Sequence, residues 1–226
     1  NVGVDIGLFQ NRFNISVDGY YRKSLDLIAL VRTSGIGGQL TKAANYADLK
    51  SQGIEFTIGG TPYRSKNFSY QTNLTFSYNT NEITSARNFP LVFDLVVPEG
   101  GAKVGYPVRG LFSIPFAGLN EVGVPLFKDE KGGQGMGVYL QSDQTDFLKY
   151  EGPVDPTIVG GFTNTFAYNN FSLIVHISYQ AGNKIRLNPV FRSEYSDLDA
   201  LTNDFRNRWV LPGDEAVTGF PSISNF

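Results

Sequence analysis

The stretch Phe68-Ser69-Tyr70-Gln71-Thr72-Asn73-Leu74-Thr75-Phe76-Ser77-Tyr78-Asn79 alternates without interruption. Phe68, Tyr70, Thr72, Leu74, Phe76 and Tyr78 fall on one face. Ser69, Gln71, Asn73, Thr75, Ser77 and Asn79 fall on the other, which carries no apolar side chain. Side chains of a strand point to opposite faces in turn, so this pattern demands an apolar environment on one side and a polar one on the other. The run is long enough to cross a bilayer as a tilted strand, which takes about 9–11 residues. Strands of soluble domains are usually about 5–6 residues.

The same period extends outward in both directions. Upstream, Gln52, Ile54, Phe56 and Ile58 oppose Gly53, Glu55, Thr57 and Gly59, and the connection Thr61 to Asn67 joins this strand to the next as a hairpin. Further upstream, Val2, Val4, Ile6 and Leu8 alternate with Gly3, Asp5 and Gly7. After a turn at Gln10-Asn11-Arg12, Phe13, Ile15, Val17, Gly19 and Tyr21 oppose Asn14, Ser16, Asp18, Tyr20 and Arg22. Downstream, a third hairpin spans about Ile158 to Ala181 and turns at Asn169-Asn170. Two-residue connections of this kind make tight hairpins. Phe162, Phe166 and Tyr168 share its apolar face with Asn164 as an exception, and Ile174 interrupts the polar face of Phe171 to Gln180.

Connections within hairpins are short. Those between hairpins are long: about Ala29 to Lys50, about Thr84 to Thr157, and everything after Gly182. Periplasmic turns and extracellular loops of outer-membrane barrels have this asymmetry. A soluble β-sandwich also alternates, and a secreted sandwich binding glycan through its loops is the alternative. Strand length, the recurring loop asymmetry, and aromatics near the ends of the apolar faces (Phe13 and Tyr21, Phe68 and Tyr78, Phe171 and Tyr179) favour the barrel, because amphipathic rings sit at the headgroup level. The expected fold is all-β: an antiparallel up-and-down transmembrane β-barrel segment of about six long strands with long extracellular loops. Six strands do not close a barrel, whose smallest usual size is eight. Open edges in a bilayer leave backbone groups unpaired. The chain therefore reads as one piece of a larger barrel.

Composition narrows the function. The formal net charge is −2 and only 18% of residues are charged, a balance that argues against a nucleic-acid partner, which would want a basic face. There is no cysteine and a single histidine, which excludes disulfide frameworks and the common Cys- and His-ligated zinc sites. No apolar run reaches the ~18 residues of a membrane-spanning helix. Gly132-Gly133-Gln134-Gly135 lacks the strand-to-helix context and the Lys-Ser/Thr of a phosphate loop. Asp129, Glu130, Asp143 and Asp146 lack calcium-loop spacing. No catalytic constellation is visible, and neither an enzyme nor a cofactor is expected.

Several motifs resemble those of a known family. Asn1-Val2-Gly3-Val4-Asp5, Phe9-Gln10-Asn11-Arg12 and Tyr20-Tyr21-Arg22-Lys23 look like barrel strands of SusC/RagA-type TonB-dependent transporters. Gln52-Gly53-Ile54-Glu55 is similar to that family's "NxGxE" strand, with Gln52 where Asn is usual. Tyr78-Asn79-Thr80-Asn81-Glu82-Ile83, Gly105-Tyr106-Pro107, Phe116-Ala117-Gly118-Leu119, Gly152-Pro153-Val154-Asp155-Pro156 and Arg208-Trp209 with Pro212-Gly213-Asp214 follow in the family's order. The resemblance implies the C-terminal part of a plugged barrel of roughly 22 strands. On this reading residues 1–226 are a partial barrel domain, with the plug and the final strands outside the chain. It also implies an outer-membrane location and import of oligosaccharides or peptides. The implied partners are a SusD-like surface lipoprotein, TonB acting through the plug, and outer-membrane lipid.

Three polar-face residues are candidate substrate contacts: Arg22, Glu55 and His176. Arg22 and Glu55 are charges expected to face the lumen, where charge tunes selectivity. Pairing with strand or plug neighbours is the favoured role for both. His176 lies mid-strand on the polar face, and a satisfied lumen histidine is favoured over a ligand contact.

Overall fold

The computed structural model describes residues 1–32, 38, 41–87, 89–187 and 201–223. Its main sheet has six antiparallel strands in the order β1 (Val2–Leu8), β2 (Phe13–Arg32), β3 (Thr41–Arg64), β4 (Phe68–Ala86), β10 (Ile158–Tyr168) and β11 (Phe171–Ala181). Every neighbour in that order is also the next long strand along the chain, which is up-and-down topology. Between β4 and β10 lie a short helix α1 (Val92–Leu95) and the short strands β5 (Gly110–Ser113), β6 (Phe116–Leu119), β7 (Pro125–Lys128), β8 (Gln134–Gly135) and β9 (Lys149–Pro153). β5 pairs with β9, and β6, β7 and β8 form a three-stranded sheet.

The registers reproduce the faces expected from alternation. Ile54 pairs with Tyr78, Phe56 with Phe76 and Ile58 with Leu74. Leu74 meets Phe162, which in turn meets Ile177. These side chains form one continuous apolar face. It stays open: Ile54 is 46%, Leu173 60% and Ile177 53% exposed. A soluble sandwich buries this face against a second sheet, so the sandwich alternative does not describe the fold. On β4 the band runs from Tyr70 to Tyr78, eight steps or about 27 Å along the strand, close to the ~25 Å apolar band of outer-membrane barrels. Beyond it the same face turns polar, where Lys50 Nζ and Glu82 Oε2 pair at 2.8 Å.

Asn164 breaks the apolar pattern in sequence and is accommodated in the fold. It is only 7% exposed. Its Oδ1 accepts hydrogen bonds from the Tyr70 hydroxyl at 2.7 Å and the Thr72 hydroxyl at 3.1 Å. Beside it the Tyr70 and Phe166 rings stack, with centroids 4.8 Å apart.

Two expected connections are shorter than the sequence suggested. Thr61–Arg64 is strand, not turn, and the β3–β4 connection is Ser65 to Asn67 alone. The ladder slips between Gly60 and Tyr63. Pro62 has no N–H to give to a ladder and sits at that bulge. Arg12 stitches the irregular backbone by donating to the carbonyls of Thr61 and Pro62. Likewise, the segment 29–50 is not a long loop. β2 continues to Arg32 and β3 already begins at Thr41, so most of it is a paired ribbon. Residues 33–37 and 39–40 lie outside the described residues.

The segment 84–157 is a loop only in the sense of joining two barrel strands. By contact density the chain divides into two units. One is the sheet with residues 1–89, 102–110 and 152–184, and the other comprises residues 90–101, 111–151 and 185–226. The second unit has a core of its own. Val92, Leu95, Leu111, Phe112, Leu119, Val124 and Leu148 are buried, so the apolar pieces Leu91 to Val97 and Leu111 to Leu119 are not left bare to water. α1 is held to its surroundings by Val92 N–H on Ser142 O and Phe93 N–H on Leu140 O, each at 2.9 Å.

Candidate functional site

The polar face of the six-stranded sheet gathers the candidate residues. β2 and β3 place Asp18 directly across from Glu55, and Arg22 across from Ser51. Two residues apart on one strand means the same face, so Asp18, Tyr20 and Arg22 stand in a row. With Glu55, Ser51 and Asn79 they line a concavity of about 460 Å³. Tyr20 shapes it by lying over Gly53, its cross-strand partner. A Cβ at Gly53 would fall 2.6 Å from the Tyr20 hydroxyl and 2.7 Å from the Tyr78 carbonyl oxygen. Gly53 of the Gln52-Gly53-Ile54-Glu55 motif is thus the residue that lets the ring lie down. Among the described residues, neither the Arg22 guanidinium nor the Glu55 carboxylate has a side-chain partner.

A second concavity, of about 380 Å³, lies toward the short-turn end. Asn14, Gln71, Asn73, Thr163 and Thr165 contribute amides and hydroxyls, and Arg12 lines its edge. His176 does not line this concavity but is bonded to Thr163, which does. Its Nδ1 and the Thr163 hydroxyl share a hydrogen bond of 2.8 Å, fixed by the β10–β11 register that sets them opposite. Thr75 continues the polar row, accepting from Gly161 N–H at 3.0 Å.

The structure therefore brings Arg22 and Glu55 together and sets His176 apart from them. Asp18, Tyr20 and Asn79 share the charged concavity but were not singled out in the sequence. The signal was present, since all three fall on the same face as Arg22 or Glu55. Alternation assigns faces only, and the strand register supplies the neighbours. No group of three or more acidic, histidine or cysteine side chains able to hold a metal occurs among the described residues.

In the second unit, residues 208–222 fold back on residues 122–124. Ser222 N–H donates to Gly123 O at 3.0 Å, and Trp209 N–H donates to Phe220 O at 2.9 Å. The Trp209 indole lies against Gly123, whose φ of +77° and lack of a side chain both matter there. Trp209 Nε1–H donates to Glu215 Oε2 at 2.8 Å. That bond, with the Gly213 N–H, holds the Glu215 carboxyl below its ordinary value. The N–H groups of Leu211 and Val210 do the same for Asp214.

An up-and-down antiparallel sheet, apolar on one face and polar on the other across a bilayer-sized band, defines a segment of an outer-membrane-type β-barrel. Its homologues are TonB-dependent receptors, SusC among them, as the motifs implied. The chain is 27% identical to TonB-dependent receptor P39 of Formosa agariphila over 99% of this chain and 25% of that receptor. It is 33% identical to TonB-dependent receptor SusC of Bacteroides thetaiotaomicron over 37% of this chain and 8% of SusC. The solved RagAB peptide transporter superposes with a TM-score of 0.73 at 24% identity, covering 97% of this chain and 25% of that one. The RagAB peptide importer in its closed-closed state gives 0.63 at 26% identity, over 80% and 20%. The chain thus spans about a quarter of the length of the relatives it matches along its whole length. No family model matches it.

Proposed function

We propose that residues 1–226 are the C-terminal part of the barrel domain of an outer-membrane TonB-dependent importer of nutrients, oligosaccharides or peptides. The observation that carries this reading is the two-faced sheet, apolar over a bilayer's thickness and polar behind it, in a chain whose homologues are TonB-dependent receptors. The polar face lines the path. Arg22 and Glu55 at one concavity, and Thr163 at the other with His176 bonded behind it, are the groups offered to a polar solute. In the whole protein, TonB acts through the plug and a SusD-like surface lipoprotein covers the mouth.

Fractionation of cells producing the full-length protein tests the location: it should sediment with the outer membrane and need detergent for release. Deleting its gene should abolish uptake of one oligosaccharide or peptide class without affecting other nutrients. Recovery from the soluble periplasm, or unchanged uptake of both classes, contradicts the proposal. Changing Arg22 or Glu55 to Ala then tests the path, by a raised half-saturation for uptake with normal barrel assembly.

A further inference from the structure

On the apolar face, Thr72, Asn164 and Val175 stand in one row across β4, β10 and β11. Bulkier rows flank it. Leu74, Phe162 and Ile177 lie on one side, and Tyr70, Phe166 and Leu173 on the other. Asn164 sits on β10, between β4 and β11, and Thr72 on β4, between β3 and β10, so described strands set the surroundings of both. The Asn164 side chain is a polar group in the middle of this apolar face, and its residue is only 7% exposed.

The amide is half satisfied. Its Oδ1 accepts from the Tyr70 and Thr72 hydroxyls. The 2.7 Å separation from Tyr70 is that of an O–H···O bond, shorter than the usual N–H···O bond, so the oxygen faces Tyr70 and the nitrogen is turned away. Asn164 Nδ2 donates to none of the described residues. Among those residues, no fully covered side-chain nitrogen or oxygen lacks a partner, so Nδ2 reaches the surface of the apolar face. A donor facing hydrocarbon with nothing to accept its protons is costly.

Depth says what can accept them. Tyr70 and Phe166 stack at the short-turn end of the apolar band, where amphipathic rings sit at the headgroup level. Asn164 is two residues further in, about 7 Å along a strand, or about 5 Å in depth at the usual tilt of barrel strands. At that level the polar atoms of a membrane lipid are the ester carbonyls of its glycerol, which accept hydrogen bonds and offer no proton. The short-turn end of an outer-membrane barrel is its periplasmic side.

We infer that Asn164 Nδ2 donates to an ester carbonyl of a glycerophospholipid and so holds one lipid of the periplasmic leaflet against the stacked Tyr70 and Phe166 rings. Tyr70 and Thr72 are positioning residues, whose hydroxyls hold Oδ1 and aim the N–H groups outward. The site rests on the barrel reading alone, and its failure would leave the import reading untouched.

The test uses the full-length protein, stripped of lipid in detergent. It is given an equimolar mixture of a diester phosphatidylethanolamine and its diether analogue, with total lipid not exceeding protein. The two share headgroup and chain length and differ only in the carbonyls. The protein is re-isolated, and the retained lipids are extracted and quantified by mass spectrometry. One net hydrogen bond predicts a preference of about 2–10-fold for the diester. Asn164→Val removes the donor and should abolish the preference. Asn164→Ser keeps a polar group for the two hydroxyls but is too short to reach outward. It should do the same, and it decides if the Val variant fails to assemble. Equal retention of the two lipids by the native protein would overturn the site. So would a native preference that survives substitution of Asn164, which would place the recognised carbonyl elsewhere on the barrel.

Discussion

Tyr70 donates its hydroxyl to Asn164 Oδ1 at 2.7 Å, on the predominantly apolar face of the sheet. A nearly buried amide in apolar surroundings is costly without its partners. Tyr70→Phe should therefore destabilise the barrel by about 0.5–1.5 kcal/mol, the net value of such a bond. Tyr70→Phe combined with Asn164→Val should cost less than the sum of the two single changes, since both remove the same hydrogen bond. Unfolding of the reconstituted protein in urea measures both, and strict additivity would show the bond to be idle.

Leu74 and Asn73 are neighbours in sequence with opposite surroundings. Leu74 lies mid-band, between Ile58 and Phe162. Arg in its place should cost about 2–4 kcal/mol near the midplane. Arg in place of Asn73, which lines the polar concavities, should cost far less. The same unfolding assay ranks them, and equal costs would mean that the faces are misassigned.

How much of this was legible follows from particular residues. Asn73 and Leu74 sit in an unbroken period of two, so their faces and pairing were readable. The ribbon of β2 and β3 was not. Leu25-Asp26-Leu27-Ile28 breaks the period at the bulge, and Lys42-Ala43-Ala44-Asn45 has low strand propensity, so both strands looked finished too early. The bulge at Pro62 hid the end of β3 in the same way. Arg22 and Glu55 were legible as polar-face charges, but alternation carries no information on curvature. The concavity they share with Asp18 needed the register. The core around Val92 and Phe112 was visible only as apolar pieces, because strands of four residues are too short to show a period.

Sidedness follows from turn length. The connection Ser65 to Asn67 should be periplasmic and Lys131 extracellular. The chain has no cysteine, so single cysteines at 65 and 131 can be read against a clean background wherever the rest of the protein is also cysteine-free. On intact cells an impermeant thiol reagent should modify position 131 and spare 65. The reverse pattern would invert the orientation.

Trp209 gives an optical report on its own contact. The Glu215 carboxyl is lowered by the Trp209 indole N–H, and Asp214 by the backbone N–H of Leu211. A carboxyl lowered in the folded state stabilises the fold fully above its unfolded value, and that stabilisation is lost as pH falls through the folded value. The Trp209 fluorescence, taken as the difference between native protein and Trp209→Phe, should thus be constant near neutral pH. It should change only below the ordinary carboxylate range. In Glu215→Gln that acid transition should weaken or disappear; an unchanged transition would assign it to another group.

The proposed lipoprotein contact calls for substitutions that spare the loop unit's core. Cutting out residues 88–102 would remove Val92 and Leu95, both 0% exposed. Such a deletion would collapse the unit and reduce partner binding for trivial reasons. The exposed apolar side chains on that unit make a cleaner probe. Met136 is 67% and Tyr139 65% exposed, on the segment following the β7–β8 turn, and neither supports the core. Interfaces draw disproportionately on Tyr and Met among exposed residues. Met136→Glu with Tyr139→Ala should therefore leave barrel assembly and heat resistance unchanged while lowering co-purification of the lipoprotein several-fold. Truncating a central anchor costs about 2 kcal/mol or more, whereas a rim contact would cost too little to register. Full co-purification with both changes in place would move the contact away from this segment, leaving the unit to fold and face solvent without a partner there.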